Sequence, residues 1–311
     1  MSTLYLDRKD LQLQVSGNHL VLSPAAHGRS SIPLGLISRL VLIGNVKLDS
    51  SSLGKIAAHG IPVVCLGGRG HKLVAHVHSN RGNDGQRRVA QYRSQCDATM
   101  RTNQARLYVF GKLSACQREL QHWQQQRPDQ RHTLYKSEHT TSNILTQLND
   151  ANLAELRGYE GAAAAAWYRA LAAVLPDALN FTGRNRRPPR DPVNACLSLA
   201  YTLLHAEALS VCHMHGLDPM LGYLHEAVHG RESLACDLIE PLRPRIDVLM
   251  LPLFSKRVLR SEHFAQTSAG CRMNKAGRKH FYNWWESHAR VLRRYLRLSA
   301  WQLLRQLQQD S

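Results

Sequence analysis

Residues 72–92, KLVAHVHSNRGNDGQRRVAQY, divide the sequence into two regions of different character. The first six of these residues form a short apolar run typical of a β-strand, and the glycine- and asparagine-rich stretch Asn80–Gly85 is typical of a linker. From Gln86 to about Trp123 the strand pattern disappears and a long helical pattern replaces it. The stretch therefore predicts a domain boundary near residue 85.

The region before this boundary is rich in strand signals. Leu11–Val15 alternates apolar and polar residues strictly, and further apolar runs lie between glycine, serine and asparagine residues. One helix is predicted among them, beginning at Ser50–Ser52 and ending at Gly60. We therefore predict an α+β chain with a small N-terminal β-rich domain over residues 1–85 and a larger all-α domain over residues 86–311. Within the second domain, the polar segment Gln124–Thr141 is interpreted as an exposed loop.

The composition limits the classes of protein to which this chain can belong. Its 311 residues carry 40 Lys and Arg against 23 Asp and Glu, which gives a formal net charge of +17. A surplus of this size favours a polyanionic partner, with nucleic acid ahead of an anionic membrane. The first residues lack the layout of a signal peptide, and no uninterrupted apolar run of about 18 residues occurs. We expect neither secretion nor a membrane-spanning segment.

The cysteine pattern indicates a reducing compartment. Seven of them are scattered along the chain without a C-x-x-C pair. An odd, scattered set argues against a disulfide framework and against a zinc site made of cysteines, and it is typical of reduced thiols. We therefore expect a cytoplasmic protein.

The first segment that could carry chemistry is Leu156-Arg-Gly-Tyr-Glu160-Gly, which is followed by a run of alanines. Glu160 lies near the start of a predicted helix, and its neighbours at helical spacing are very small. A ligand or a second helix could approach this carboxylate closely. A solvated glutamate in the first turn of a helix fits the same pattern.

A second segment combines an arginine-rich arm with a strong helix start. In Asn185-Arg-Arg-Pro-Pro-Arg-Asp-Pro192, Asp191 provides an N-cap and Pro192 occupies the first helical position. Guanidinium groups match the geometry of phosphate, so a stiffened arm of this kind suits a DNA backbone, although a solvated basic loop is the alternative. The arginines in question are Arg184, Arg186, Arg187 and Arg190.

The third segment places acids and histidines close together in the sequence. A helix is predicted from Asp218 to Gly230, and Ser233 is expected to begin a second, short helix. On the second helix Asp237 and Glu240 would point in one direction. Together with His225 these acids could bind a metal, although exposed acids and a core or surface histidine are the commoner explanation of such a pattern.

The same segment contains a literal H-E-x-x-H motif. In His225-Glu226-Ala-Val-His229, two histidines on one helix face could hold zinc while Glu226 acts as the general base of a peptidase. Such a short motif arises easily in a chain with 17 histidines. Zinc metallopeptidase activity is therefore an alternative interpretation.

Taken in order, these segments resemble the CRISPR-associated spacer-integration nuclease family, the integrase subunit of CRISPR adaptation. The first matching blocks are Arg157-Gly-Tyr-Glu160-Gly and Arg186-Arg-Pro-Pro-Arg-Asp-Pro-Val-Asn194. The third is Gly216-Leu-Asp-Pro with Gly222-Tyr-Leu-His225, and the fourth is Arg231-Glu-Ser-Leu-Ala-Cys-Asp237-Leu-Ile-Glu240-Pro-Leu-Arg-Pro. Matches in the β-rich region, such as His59-Gly-Ile-Pro-Val-Val, extend the resemblance over nearly the full length. Four linked blocks in one order are far more specific than any single block.

The resemblance implies a fold, a reaction and a metal site. It implies an N-terminal β-rich domain with a role in dimerisation and a C-terminal catalytic domain that binds DNA. It assigns a divalent metal to Glu160, His225 and Glu240, with Asp237 as an accessory acid or alternate ligand and with His229 outside the ligand set. Two carboxylates and one imidazole favour Mn²⁺ or Mg²⁺. The implied reaction joins the 3′-hydroxyl ends of short DNA fragments to a CRISPR repeat by transesterification, or cleaves DNA by hydrolysis.

The expected partners follow from this reaction. Joining a fragment at both ends requires two active sites, so we expect a homodimer bound to double-stranded DNA, and the resemblance adds a dimer of a small ferredoxin-like adaptation protein. The DNA contacts are assigned to the arm and to two arginines of the fourth block, Arg231 and Arg243. A non-catalytic DNA-binding scaffold is the remaining alternative.

Overall fold

The computed structural model describes residues 2–8, 10–24, 28–67, 72–78, 84–185, 188–268 and 270–309. The chain divides into two compact units, Met1–Asn83 and Asp84–Ser311. The predicted linker lies mostly outside the described residues. Its penultimate residue, Asp84, caps a helix, because its carboxylate accepts hydrogen bonds from the backbone N–H groups of Gln86 and Arg87.

Within its described residues, the first unit consists of two four-stranded sheets and one α-helix. Its strands are β1 (Ser2–Asp7), β2 (Leu11–Ser16), β3 (His19–Pro24), β4 (Ser30–Pro33), β5 (Ile37–Ile43), β6 (Val46–Leu48), β7 (Val63–Gly67) and β8 (Lys72–Val77), with helix α1 (Ser50–Ala58) between β6 and β7. One sheet has the order β1-β5-β7-β8, in which only the β7–β8 pair is antiparallel. The other has the order β4-β3-β2-β6, in which only the β2–β6 pair is parallel.

The alternation seen in the sequence produces the core of this unit. Along β2, Leu11, Leu13 and Val15 are buried while the residues between them are exposed. These side chains join one hydrophobic cluster that includes residues of both sheets and Ile56 of α1. The helix begins at Ser50, and its N-cap is Asp49, one residue before the predicted Ser50–Ser52 cap, because the Asp49 carboxylate accepts a hydrogen bond from the backbone N–H of Ser52 at 2.8 Å.

The second unit is mostly helical, and the prediction of a β-rich region followed by a helical one is confirmed. Its helices are α2 (Gly85–Cys96), α3 (Ala98–Gln126), α4 (Arg131–Gln147), α5 (Leu153–Val174), α6 (Pro192–Met214), α7 (Ser233–Ile239), α8 (Arg243–Ser255) and α9 (Lys275–Gln309). The prediction of an all-α domain omitted one feature, an antiparallel hairpin of β9 (Phe264–Thr267) and β10 (Gly270–Met273).

Helix α6 lies in the core of this unit. It begins as predicted, with Pro192 at its first position and the Asp191 carboxylate accepting from the backbone N–H of Asn194 at 2.8 Å. By length and composition alone α6 could cross a membrane, although it contains no uninterrupted apolar run of about 18 residues. Because 78% of its apolar window is buried inside the unit, packing in a core explains its apolar character.

Two predictions of secondary structure were wrong. The segment Gln124–Thr141 is not a loop, since α3 continues to Gln126 and α4 begins at Arg131. Conversely, residues 218–230 contain no helix, whereas α7 begins at Ser233 as predicted. Both errors concern segments whose polar residues are buried or bonded by neighbours that are distant in the sequence.

Candidate active site

Three segments of the second unit bring charged side chains together. Lys112 lies in α3, Glu160 in α5, and Glu240 begins a 3₁₀ turn that follows α7. Helix α3 packs against both α5 and this turn. A Cβ atom on Gly111 would lie only 3.2 Å from the Cβ atom of Pro241, so the missing side chain allows the turn to lie directly against α3.

The ammonium group of Lys112 lies between two carboxylates. It donates one hydrogen bond to Oε1 of Glu160 and another, 2.6 Å long, to Oε2 of Glu240. The second oxygen of Glu240, Oε1, accepts a 2.7 Å hydrogen bond from Nε of Arg243. Since the side chains of Lys112 and Glu240 are only 7% and 5% exposed, their charges require partners inside the protein. Two acids and two bases thus form one chain of ion pairs.

These ion pairs determine the protonation states. Burial disfavours the charged form of Glu240, but the neighbouring Arg243 and Lys112 outweigh burial and hold the pKa of Glu240 well below its usual value. Burial likewise disfavours the charged form of Lys112, whereas Glu240 and Glu160 raise its pKa. At neutral pH Glu240 is therefore ionised and Lys112 is protonated.

His225 is oriented by Asp237. The fully buried Asp237 carboxylate accepts hydrogen bonds from the backbone N–H groups of Tyr223, Leu224 and His225, at 2.6, 3.0 and 3.1 Å. Its Oδ1 also lies 2.6 Å from Nδ1 of the His225 ring. Burial raises the pKa of Asp237, and the hydrogen bond from His225 opposes that rise. With Nδ1 turned to this carboxylate, Nε2 is the ring nitrogen left for a ligand. This geometry favours the predicted role of Asp237 as an accessory acid over its predicted role as an alternate metal ligand.

The loop that carries His225 depends on a glycine. A Cβ atom on Gly222 would lie 2.8 Å from Oδ2 of Asp237 and 2.8 Å from the carbonyl carbon of Ser233. Real Cβ atoms do not approach other atoms so closely, so a larger residue would push the loop away from α7. Gly222 therefore makes the Asp237–His225 contact possible.

Glu160 and His225 line the same open cleft. Its other lining residues are Arg157, Leu224, Glu226 and Arg231. The cleft is lined by two carboxylates, an imidazole and two guanidinium groups. Guanidinium groups bind phosphate oxygens in a fixed fork geometry, so the cleft suits a phosphodiester.

The structure lacks the helix that a zinc peptidase of the H-E-x-x-H type requires. His225 and His229 lie on the non-helical loop 218–230, and His229 is exposed, so the two rings do not share a helix face. Glu226, the general base in that interpretation, forms ion pairs with Arg101 at 3.1 Å and with Arg157 at 2.6 Å. Hydrogen bonds from these two arginines lower the pKa of Glu226, which makes it a weaker base.

The donor atoms fit a hard divalent cation. Within the described ranges, no three His, Cys, Asp or Glu side chains lie close enough to form a metal-binding group in this conformation. Glu160 and Glu240 nevertheless share one cation, the Lys112 ammonium, and His225 lies on the same cleft as Glu160. Carboxylate oxygens and an imidazole nitrogen are ligands that Mn²⁺ accepts, and the oxygens alone suit Mg²⁺. The donor atoms of Glu160, Glu240 and His225 therefore suit a divalent cation. In this conformation the Lys112 ammonium supplies the positive charge between the two carboxylates.

Comparison with known proteins assigns the chain to a family. The family model described as CRISPR associated protein Cas1 matches residues 4–287. The chain belongs to this family. The Cas1 relative named CRISPR-associated endonuclease Cas1 1 from Thermodesulfovibrio yellowstonii is 35% identical over 294 residues, which cover 92% of this chain and 91% of the relative. The CRISPR-associated endonuclease Cas1 3 from Thermus thermophilus is 32% identical over 290 residues, which cover 92% and 84%.

Solved structures agree with the Cas1 assignment. A CAS1 protein from Thermotoga maritima has a TM-score of 0.85 at 25% sequence identity, covering 99% of this chain and 97% of that one. A casposase bound to its integration product has the same fold, with a TM-score of 0.85 at 22% identity, covering 98% and 91%. The resemblance stated from the sequence is confirmed.

The arginines predicted to bind DNA in this Cas1 chain occupy different environments. Arg231 lines the cleft and Arg190 is exposed, so both side chains are accessible to a DNA backbone. Arg186 and Arg187 lie outside the described residues. The DNA contacts of these four arginines remain predictions.

Arg184 and Arg243 are instead engaged inside the protein. Arg184 donates to Oδ1 of Asn194 at 2.8 Å and to Oγ of Ser198 at 3.1 Å, which fixes the base of the arm to α6. Arg243 bonds to Glu240 and lies 4.5 Å from the centre of the Tyr201 ring. This placement favours a structural role for both arginines, and their contact with DNA also remains a prediction.

Three residues of the site were missed in the sequence. Arg157 stands three positions before Glu160, which on a helix places both on one face, so its signal was present in the first matching block. Lys112 and Arg101 lie in the long helix α3, where basic residues are usually solvated, and no local pattern distinguishes them. Only the folded chain brings Lys112 to Glu240 and Arg101 to Glu226.

Proposed function

We propose that this chain is a divalent-metal-dependent DNA endonuclease and integrase of CRISPR adaptation. The observation that carries the proposal is the convergence of Glu160 and Glu240 on one buried cation, with His225 on the cleft that Glu160 lines. Membership in the Cas1 family supports the proposal, as do curated relatives named endonucleases and a casposase that holds an integration product.

The proposed reaction is a transesterification. The 3′-hydroxyl of a DNA fragment attacks a phosphorus atom of the CRISPR repeat, a new P–O bond forms, and the bond to another 3′-oxygen breaks. The attacking hydroxyl loses a proton and the leaving oxygen gains one, so the step is balanced. In hydrolysis, water takes the place of the attacking hydroxyl. Glu160, His225 and Glu240 would hold Mn²⁺ or Mg²⁺, which supplies Lewis acidity toward the phosphoryl oxygen.

The remaining residues of the cleft would position the substrate. Arg231 and Arg157 would hold non-bridging oxygens of the phosphodiester, because a guanidinium group can donate two parallel hydrogen bonds. Glu226 fixes the orientation of Arg157 through their 2.6 Å ion pair. Asp237 keeps His225 in the tautomer whose Nε2 accepts a ligand.

The proposed assembly is a homodimer on double-stranded DNA, bridged by a dimer of a small ferredoxin-like adaptation protein. Two fragment ends require two sites, and each chain supplies one. A solved Cas6-RT-Cas1–Cas2 complex contains a region of the same fold, with a TM-score of 0.84, and this chain corresponds to 35% of that chain. A cytoplasmic location is part of the proposal and agrees with seven free cysteines.

A strand-transfer assay tests the proposal. Purified protein is incubated with labelled 3′-hydroxyl duplex and supercoiled plasmid in Mn²⁺, in Mg²⁺ or in chelator, and DNA binding is measured separately by mobility shift. Glu160→Gln and His225→Ala should each lower transfer by more than about a hundredfold, since even residues that only orient a ligand are worth 10- to 100-fold. Binding of DNA should survive in both variants.

Two matched controls make the result specific. Glu119→Gln changes a helical glutamate of α3 that does not line the cleft, and His229→Ala changes the second histidine of the H-E-x-x-H motif. Both should transfer DNA at the wild-type rate. Full transfer by Glu160→Gln or His225→Ala would refute the catalytic assignment, and a wild type inactive with every metal would favour the DNA-binding scaffold.

A further inference from the structure

We propose that Lys112 is an internal cation that holds the two carboxylates of the site together before a divalent metal arrives and is displaced when the metal binds. This inference rests on the proposed function and adds a residue that the reaction itself does not require. It concerns the conformation of the metal-free protein and its affinity for the metal, both of which can be measured without an activity assay.

The contacts of Lys112 define its role. Its ammonium group bonds to Oε1 of Glu160 and to Oε2 of Glu240 and is 7% exposed. Two carboxylates that lie close together repel each other unless a cation lies between them. Lys112 provides that cation and fixes both carboxylates in place through its two hydrogen bonds.

The same contacts place two cations where Glu240 would ligate a metal, and a divalent ion repels both, so the more mobile one should move away. Both carboxylate oxygens of Glu240 are occupied, Oε2 by Lys112 and Oε1 by Arg243. Arg243 is held in place, since its guanidinium group lies 4.5 Å from the centre of the Tyr201 ring. The Lys112 ammonium ends a flexible four-carbon chain and can swing away. Lys112 is therefore the group that the metal displaces.

Two consequences follow. Metal affinity should be weaker than the three ligands alone would give, because the metal must first displace an ammonium ion. By reciprocity, bound metal should weaken the hold of the two carboxylates on Lys112 by the same factor. The displaced side chain should become more accessible to solvent.

The first test measures Mn²⁺ affinity by electron paramagnetic resonance of the free ion. Lys112→Met removes the ammonium group and keeps an unbranched chain, and the dissociation constant should fall by about 5- to 150-fold, the usual range of coupling between two bound species. Lys136→Met, which removes the same unit charge from an exposed site in α4, should leave the constant unchanged. An unchanged or larger dissociation constant in folded Lys112→Met protein overturns the proposal.

The second test uses the wild-type protein and remains valid if Lys112→Met fails to fold. Lysines are labelled with an amine reagent and quantified by mass spectrometry, with and without Mg²⁺. Lys112 should be protected in chelator and labelled several-fold faster in Mg²⁺, while Lys136 should not change. A Lys112 that stays protected while metal binds overturns the displacement alone. A wild type that binds neither Mn²⁺ nor Mg²⁺ overturns the proposed function itself.

Discussion

Three buried carboxylates of the second unit show how the same chemical group is adapted to different tasks. Glu240 is paired with two cations and remains ionised. Asp237 is bonded to three backbone N–H groups and to the His225 ring. Asp247 accepts from Nε1 of Trp167 at 2.8 Å and from the hydroxyl of Tyr201 at 2.5 Å. The surrounding donors, and not the residue type, decide what each acid does.

Asp237→Asn tests the positioning of His225. An amide has one acceptor oxygen, so it cannot serve the backbone N–H groups and the His225 ring as the carboxylate does. We expect the affinity for Mn²⁺ and the rate of strand transfer to fall by about 10- to 100-fold, with DNA binding retained. Titration of Mn²⁺ binding checks the change. Wild-type affinity and rate in this variant would show that Asp237 does not act through His225.

Asp247 predicts a pH dependence of stability. Burial raises the pKa of this carboxyl from its ordinary 3.8 to about 6, against the hydrogen bonds from Tyr201 and Trp167. The folded protein therefore binds the proton more tightly than the unfolded chain, and the stability gained from protonation is lost as pH rises through about 6.

The test compares the wild type with Asp247→Asn, whose amide does not titrate. The free energy of unfolding of the wild type minus that of the variant should fall between pH 4 and 6, by up to about 3 kcal/mol, and then stay level. Urea unfolding at several pH values measures this difference. A difference that is flat across this range, or rises with pH, would contradict the raised pKa.

At the scale of elements, the loop 218–230 explains why part of the site escaped sequence analysis. Asp218–Pro219 is a good helix start, and the spacing of the residues that follow fits a helix. In the folded chain, however, the Asp237 carboxylate takes the backbone N–H groups of Tyr223 to His225, and so supplies the acceptors that helix carbonyls would have given. This competition comes from a neighbouring element and has no local signal.

The segment Gln124–Thr141 was mispredicted for a related reason. In α4, Leu134, Ser137, Thr141 and Ile144 are buried at spacings of three and four residues. The helical period was therefore present, but small polar residues occupied two of its inward positions. The strand alternation of β2 and the Asp191–Pro192 helix start were predictable because each is a local pattern.

Gly222 provides a test at the element scale. Gly222→Ala should lower the free energy of unfolding by about 1–3 kcal/mol, because the new methyl group would overlap Asp237 and Ser233 of α7. Gly158→Ala, in the helix α5 with open space around the position, should instead stabilise the protein by about 0.5–1 kcal/mol. Chemical denaturation of the two variants measures both signs. Equal changes in the free energy of unfolding would mean that the loop 218–230 and α7 do not pack as closely as described.

At the scale of the whole molecule, the predicted ligands of the site come from blocks that are remote along the chain. The ordered blocks around Glu160, His225 and Glu240 allowed the family to be recognised, and the matched region of residues 4–287 confirms it. The contacts of Glu160 and Glu240 with Lys112 could not be predicted, because a lysine in a long helix carries no information about which distant acids will pack against it. The ordered motifs therefore predict the ligands, and tertiary packing supplies their partners.

The net charge of +17 predicts how strongly DNA binding depends on salt. A protein that neutralises six to ten phosphates should lose about 10³- to 10⁵-fold in affinity between 50 and 200 mM salt. Arg190→Ala should reduce the slope of log affinity against log salt by about one unit, because it removes one exposed contact of the arm. Arg131→Ala, an exposed arginine of α4, is the control and should leave the slope unchanged. Titrations by fluorescence anisotropy measure the slopes, and a slope unaltered by Arg190→Ala would remove the arm from the DNA interface.

The central claim is that Glu160, His225 and Glu240 hold one divalent metal ion in the cleft. Anomalous diffraction from crystals grown with Mn²⁺ tests it directly, because the ion is located without reference to activity. We predict one strong manganese peak bounded by the two carboxylates and by Nε2 of His225, with the Lys112 ammonium moved away. A peak at another place, or ordered side chains of all three residues with no peak among them in saturating Mn²⁺, would contradict the account.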